Sequence, residues 1–380
     1  MSKRTAIKVL HVIDSGGLYG AERLLVSLAK EQQKEGLEVV IVSVGKKNEG
    51  PKQIEEFAIR QGLSVKAWRM KPGFNVAGAM AILTWARNQG FDLIHSHGYK
   101  FNVLIGMVPV RIRGIPFVAT IHGYIKAPLL SKSWLYQCLD RISLRIIEAV
   151  VLVSYSMRDQ IPACISRSIK TQVVSNGLDY ESVKQELNCP IPQSVESFVQ
   201  NHGRIVLGVG RLSPEKGFRN LIEAFSDVRQ RYPDAGLLII GEGELRGELE
   251  EKIAELGIGD HILMPGYLES VIPLMAASTV LCMPSLTEGL PITLLEAMAV
   301  GLPVLATPVG EIPTVLGEGK GGRILPSGEV EVLAKELTDY LADQEQHLHM
   351  TQWAKARAHE VYSSVAMQMR YRQIYEQLVI

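Results

Sequence analysis

Short β-branched runs alternate with helical stretches along almost the whole chain, and this alternation restricts the fold more than any other feature. In the first half the runs are Lys8–Ile13, Val39–Val44, Leu93–His95, Phe117–Ile121, Val150–Val153 and Gln172–Val174. In the second half they are Arg204–Val209, Gly236–Ile240, His261–Met264, Thr279–Met283 and Pro303–Ala306, separated by helical segments such as Asn220–Arg231 and Leu245–Leu256. Strands that alternate with helices build βαβ units, hence a parallel sheet with helices on its faces. The economical reading is α/β, with two doubly wound domains, and 380 residues are enough for two cores. Residues 188–203 carry prolines and polar residues without a sustained period, so they are expected to be a connecting loop, with a hinge near 176–203. The expected domains are therefore 1–187 and 188–360. A last helix, 361–380, places Met369, Tyr371, Ile374, Tyr375 and Leu378 at helical spacing and either covers its own domain or crosses back to the first.

Charge narrows the function. Lys and Arg number 40, as do Asp and Glu, so the chain lacks the net charge of a generic nucleic-acid binder, and no nucleic-acid partner is expected. The halves differ: residues 1–180 hold 24 basic and 13 acidic side chains, residues 181–380 hold 16 and 27. A basic first half suits phosphates or an anionic lipid surface, although uneven solvated charge accounts for it equally well. Cys138, Cys164, Cys189 and Cys282 are far apart with no Cys-x-x-Cys pair, which argues against a zinc site and fits a reducing cytoplasm. His11 and Asp14 interrupt the amino-terminal apolar stretch, so no signal peptide is expected, and the run Val271–Pro284 is too short to cross a bilayer.

Ligands of open parallel sheets bind beyond the carboxyl ends of the strands. After the first strand comes Asp14-Ser-Gly-Gly-Leu-Tyr-Gly-Ala-Glu22, a glycine-rich turn before a helix, suited either to an anion or simply to a tight turn. Its spacing is not Gly-x-Gly-x-x-Gly, and no acid ends the second strand to hold a ribose, so a nicotinamide enzyme is poorly supported. In the turn Gly241-Glu-Gly-Glu244 two carboxylates stand where a phosphate would approach. Gly210-Arg-Leu-Ser-Pro-Glu-Lys-Gly217 instead puts Arg211 and Lys216 on a loop after a strand, a forked donor and a compact charge suited to two linked phosphates.

The sharpest segment is Pro284-Ser-Leu-Thr-Glu-Gly-Leu-Pro-Ile-Thr-Leu-Leu-Glu-Ala-Met-Ala-Val-Gly301. Pro291 and Gly301 bound a helix of roughly three turns. Glu296 lies within its apolar sequence and needs a partner, while Glu288 precedes it among unpaired N–H groups. Two such carboxylates can accept hydrogen bonds from sugar hydroxyls at both ends of a nucleotide sugar, or serve as a cap and a structural ion pair.

These two motifs in this order resemble the retaining glycosyltransferases of family 4, which have the GT-B fold of two Rossmann-like domains facing a cleft. Gly16-Gly17, Ile94-His-Ser-His97, Thr120-Ile-His-Gly123, Val174-Ser-Asn-Gly-Leu-Asp179 and Val304-Leu-Ala-Thr-Pro-Val-Gly-Glu311 follow the family's order. The resemblance implies that Arg211 and Lys216 clamp the donor diphosphate. Glu296 then binds the nucleotide ribose, Glu288 the transferred sugar with Gly289 and Leu290 beside it, and His122 the sugar near its anomeric carbon. The Gly16 and Gly17 backbone would approach phosphate or acceptor, although seven residues from Gly16 to Glu22 exceed the family's compact Gly-Gly-x-Glu form. His97 and Asn176 fall at matching positions, and Tyr267 can stack on a base.

The absence of an Asp-x-Asp motif leads to an expectation of no metal and no other cofactor, with Arg211 and Lys216 stabilising the leaving diphosphate. A UDP-sugar donor and a glycan or lipid-linked acceptor are expected. Residues 125–145 mix basic and large apolar side chains, which fits either peripheral contact with an anionic membrane or an amphipathic helix packed on its own sheet. A non-catalytic nucleotide-sugar binder, an epimerase and a phosphorylase of the same architecture remain alternatives.

Overall fold

β1 (Lys8–Ile13) shows why this chain forms sheets covered on both faces. Leu10 and Val12 enter one core while Val9 and Ile13 enter another, and all four are buried. A strand with apolar residues on both faces has to sit in the middle of a helix-covered parallel sheet. The structure is a computed structural model and describes residues 6–14, 17–18, 20–123, 132–342 and 347–379. The chain divides into two units: one of residues 1–177 with 364–380, the other of residues 178–363.

The first unit holds β1, β2 (Glu38–Lys46), β3 (Ser64–Met70), β4 (Leu93–Ser96), β5 (Phe117–Ile121), β6 (Ala149–Leu152) and β7 (Thr171–Val173). Their order is β3-β2-β1-β4-β5-β6-β7, with every pair parallel. β3 does not stand out in the sequence, because an edge strand with Ser64, Lys66 and Ala67 exposed carries no apolar run. The C-terminal helix Ser364–Val379 belongs to this unit, burying Met367, Tyr371, Ile374 and Tyr375 in the core beside Val9, Leu93 and Val118.

The second unit holds β8 (Arg204–Val209), β9 (Ala235–Ile240), β10 (Ile262–Gly266), β11 (Val280–Met283), β12 (Val304–Ala306) and β13 (Arg323–Ile324), in the order β10-β9-β8-β11-β12-β13. Its central strands alternate as β1 does: Leu207, Leu281 and Val304 face one core, Val206, Cys282 and Leu305 the other. The two-residue β13 is too short to leave a periodic signal.

Two expectations need correction. Residues 188–203 are not simply a loop: Gln193–Asn201 is a helix, because Val195, Phe198 and Val199 stand at i, i+3 and i+4 and pack on the second unit's core. The boundary lies at Gly177/Leu178, ten residues before 187/188, because Leu178 and Val183 join that same core.

Within residues 125–145, positions 125–131 lie outside the described residues, and helix Lys132–Ile146 buries Asp140 and Leu144 while exposing Leu135, Ile142 and Ile146. Burial raises the Asp140 carboxyl to about 6, against the weaker pull of a hydrogen bond from Asn102 and the charge of Arg141. Because the folded value exceeds the unfolded one, stability is lost as pH rises from about 4 through about 6. Asp140→Asn is accordingly expected to raise stability at pH 7 by about 2 kcal/mol and to flatten the urea midpoint between pH 4 and 6. Equal midpoints at pH 7 would contradict this.

Candidate active site

In an open α/β sheet the ligand crevice forms where successive strands are laid down on opposite sides of a starting strand. In the second unit that point is between β8 and β11, since β9 and β10 extend one way and β11, β12 and β13 the other. The loops leaving these two strands meet there. After β8, Pro214–Lys216 makes one 3₁₀ turn that ends in Gly217 at φ +68°. A Cβ on Gly217 would stand 2.3 Å from the Pro284 carbonyl oxygen, so only glycine allows this approach to the loop after β11. Across the contact, Lys216 Nζ donates to Glu288 Oε1 at 2.7 Å, and Ser285 Oγ donates to the same oxygen at 2.8 Å. The pair is largely shielded, with side-chain exposures of 21% for Lys216 and 8% for Glu288.

The donor residues that the sequence places in the second unit thus gather at one switch point, with Lys216 and Glu288 bonded to each other. Arg211 is exposed at the start of the same loop, and Gly289 and Leu290 continue from Glu288, Leu290 being buried in the core. Helix Ile292–Val300 starts after Pro291 and ends at Gly301 with φ +90°, and Glu296 is half-buried on it. Tyr267 stands elsewhere, exposed after the edge strand β10.

Gly310 holds the Glu288 loop from behind. Its φ is +58°, and a Cβ would lie 2.1 Å from the Glu288 carbonyl oxygen. Glu311 N–H donates to the Gly289 carbonyl at 3.0 Å. Gly310→Ala has to push this loop outward, so kcat/KM is expected to fall by up to about a hundredfold, the cost of misplacing a catalytic group by about 1 Å. A fully active Gly310→Ala enzyme would show that the loop's position is immaterial.

In the first unit the strand order reverses between β1 and β4. Gly16 lies outside the described residues, and Gly17 is buried just past β1. Alternation along the strands puts His11, His95, His97, Thr120 and His122 on the same face as Val9, Leu93 and Val118. Helix Gly20–Lys34 and the C-terminal helix cover that face and add Gln32, Tyr371 and Tyr375. His97 Nδ1 lies 3.1 Å from His122 Nε2, and His97 Nε2 lies 2.9 Å from His11 Nδ1. His11 Nε2 reaches Gln32 Oε1 at 2.8 Å. His95 spans Tyr375 Oη at 2.6 Å and Thr120 Oγ1 at 2.7 Å. Nitrogens of His11, His95 and His97 lie close enough to surround a cation, but the ring nitrogens of all three already have these partners. Burial lowers His11 to about 4, with its Gln32 bond opposing, and lowers His122 to about 4, with the Glu22 charge opposing. His95 and His97 are pushed well below the usual value, first by burial and then by the neighbouring rings. All four rings are therefore neutral at pH 7.

Of this network the sequence motifs contain His95, His97, Thr120 and His122; His11 stands out only as an interruption of an apolar stretch, Tyr371 and Tyr375 only as members of the last helix, and Gln32 carries no signal. The available signal is parity: His11 and His95 are odd-numbered on β1 and β4, as the buried Val9 and Leu93 are, and His97 continues the series just past β4. Asn176 is buried beyond the edge strand β7, away from the β1/β4 point.

Residues 19–182 match the model described as Glycosyltransferase Family 4, and residues 193–357 match that of Glycosyl transferases group 1. The N-acetyl-alpha-D-glucosaminyl L-malate synthase of Bacillus anthracis is 25% identical over 306 residues, 80% of this chain and 79% of its own. The 2-deoxystreptamine N-acetyl-D-glucosaminyltransferase of Streptomyces fradiae is 27% identical over 361 residues, covering 86% and 84%. Among solved structures, Anabaena HepE in complex with UDP superposes with a TM-score of 0.80 at 21% identity, covering 98% of this chain and all of that one. The sucrose-phosphate synthase of Thermosynechococcus elongatus superposes at 0.72 with 18% identity, covering 98% and 99%. Both structural likenesses establish the fold. With the two family models spanning most of both units, the chain belongs to the family 4 glycosyltransferases of GT-B fold, enzymes that transfer a sugar from a nucleotide-sugar donor.

Proposed function

We propose that this glycosyltransferase moves a hexose-type sugar from a UDP-sugar to a hydroxyl of a glycan or lipid-linked acceptor, with retention of configuration and without a metal ion, in the synthesis of a lipopolysaccharide, exopolysaccharide or related glycoconjugate. The observation that carries the donor assignment is the meeting of Lys216 with Glu288 at the β8/β11 switch point. An entering diphosphate draws the Lys216 ammonium to itself, with the Arg211 guanidinium beside it, and frees Glu288 to accept from a sugar hydroxyl. As the bond from the anomeric carbon to the phosphate oxygen breaks, charge grows on that oxygen where the two cations stand. The acceptor oxygen attacks from the face the diphosphate leaves, and its proton passes to the departing phosphate oxygen. Glu296 holds the ribose, and His122 contacts the transferred sugar. Exposed Leu135, Ile142 and Ile146 support peripheral contact with an anionic membrane, which co-sedimentation with anionic liposomes at low salt tests.

UDP is favoured because Anabaena HepE was solved with UDP and with UDP-glucose. A GDP-sugar donor is the second reading, since the relatives include a GDP-mannose-dependent mannosyltransferase of Mycolicibacterium smegmatis, 28% identical over 257 residues. Melting the protein with UDP, GDP, ADP and their sugars, with and without chelator, separates the readings. A selective rise with UDP that chelator leaves unchanged supports the proposal. A rise confined to GDP, or one abolished by chelator, removes the UDP or the metal-free part.

A further inference from the structure

The four side chains Gln32, His11, His97 and His122 form one unbranched hydrogen-bonded file, at 2.8, 2.9 and 3.1 Å in turn. A neutral imidazole carries one N–H and one lone pair, so fixing the direction of any single bond in the file fixes all the others. Gln32 fixes it. Its amide nitrogen donates to Tyr375 Oη at 3.1 Å, which leaves its carbonyl oxygen facing His11 Nε2. His11 is then protonated on Nε2 and bare on Nδ1. His97 donates from Nε2 to that bare atom and accepts on its own Nδ1, and His122 fills that position with its Nε2–H. Tyr375 is held in turn by His95, whose other nitrogen meets Thr120, and Thr120 Oγ1 lies 2.9 Å from Tyr371 Oη. The C-terminal helix thus anchors the end of the file remote from His122.

His122 is the first residue past β5, at the carboxyl end of the sheet, and among the described residues its Nδ1 has no hydrogen-bond partner. We infer that the file is a tautomer relay, which presents His122 Nδ1 unprotonated as a hydrogen-bond acceptor for a hydroxyl of the donor sugar. The inference rests on the reading of His122 as a sugar contact and goes beyond it by assigning Gln32, His11 and His97 as positioning residues. Their neutrality at pH 7 is what lets the file carry a single polarity. Turning over the Gln32 amide would reverse every bond and make His122 Nδ1 a donor instead.

The test uses the full chain with 15N-labelled histidine, and long-range proton–nitrogen correlation spectra at pH 7.5 to read each ring's tautomer. The expected wild-type spectrum has His11, His97 and His122 all protonated on Nε2. Gln32→Met removes the terminal acceptor and should leave His122 in a mixture of tautomers, with kcat/KM for the donor reduced about fivefold, the worth of one neutral hydrogen bond. Gln32→Glu can only accept from His11, so it should keep the His122 tautomer and most of the activity. An Nδ1-protonated His122 in the wild-type protein overturns the relay, as does a folded Gln32→Met protein with an unchanged His122 signal. A tautomer that responds while kcat/KM stays constant overturns the sugar-contact part alone, together with the reading of His122 on which it rests.

Discussion

Lys216→Ala is expected to weaken binding of the nucleoside diphosphate by about ten- to a hundredfold and to lower kcat/KM by at least as much. The loss is that of one charge-assisted contact to phosphate, roughly 1.5–3 kcal/mol. The pairing of Lys216 with Glu288 adds a second consequence. Glu288 is shielded and accepts from both Lys216 and Ser285, so removing the ammonium leaves a carboxylate held by a hydroxyl alone. An uncompensated shielded charge is costly, so the second unit should also melt earlier. Lys216→Arg keeps the charge and should restore stability more fully than catalysis, because a planar fork does not reproduce the compact ammonium. Calorimetric titration with UDP and GDP beside a donor kcat/KM measurement checks this. A Lys216→Ala protein that binds both as the wild type does would remove the loop after β8 from the donor site.

Acidification is expected to unfold the first unit well before the second. His11 is fully buried and its value is lowered to about 4 by burial, while an unfolded histidine titrates near 6.5. A depressed folded value contributes stability that is present above pH 6.5 and is lost as pH falls toward 4. At pH 5 His11 alone withdraws about 2 kcal/mol. His95 and His97 shift in the same direction; His97 is bonded to His11 and His122 and His95 to Tyr375 and Thr120, so protonating one ring also breaks bonds of its neighbours. Marginal domain stabilities of ~5–15 kcal/mol do not withstand several such losses. Tryptophan fluorescence reports the first unit through Trp134 and through Trp68 and Trp85, whose rings lie 6.0 Å apart, and Trp353 reports the second. Replacing these in turn separates the two transitions. Coincident acid midpoints would show that the histidine face does not set acid stability.

Much of this was legible in the sequence because apolar runs on both faces of a central strand leave few other folds. β1 and β5 are marked over their full lengths by their β-branched residues. The features that leave no sequence signal share physical causes. β3 is an edge strand with exposed Lys66, and β13 is two residues long, so neither carries the buried run that reveals a strand. The helix Gln193–Asn201 was hidden by Cys189-Pro-Ile-Pro192, which reads as a breaker although Pro192 is its N-cap. Lys216 and Glu288 were each identified from their own loops, but their contact spans 72 positions and no periodicity records it. The histidine file joins residues on or just past three strands with one helix residue, so only the sheet order brings its members together.

The chain leaves the first unit at Gly177 and returns at Ser364 to supply Tyr371 and Tyr375. During vectorial synthesis residues 364–380 leave the ribosome after the whole of the second unit, so the histidine face lacks its cover until they have emerged. The second unit, though encoded later, is the first whose sequence is entire, and it can fold while the first still waits with Val9, Leu93 and Val118 uncovered. A nascent chain at that stage therefore combines a finished second unit with an unsealed first one, an exposed apolar sheet of the kind that chaperones hold.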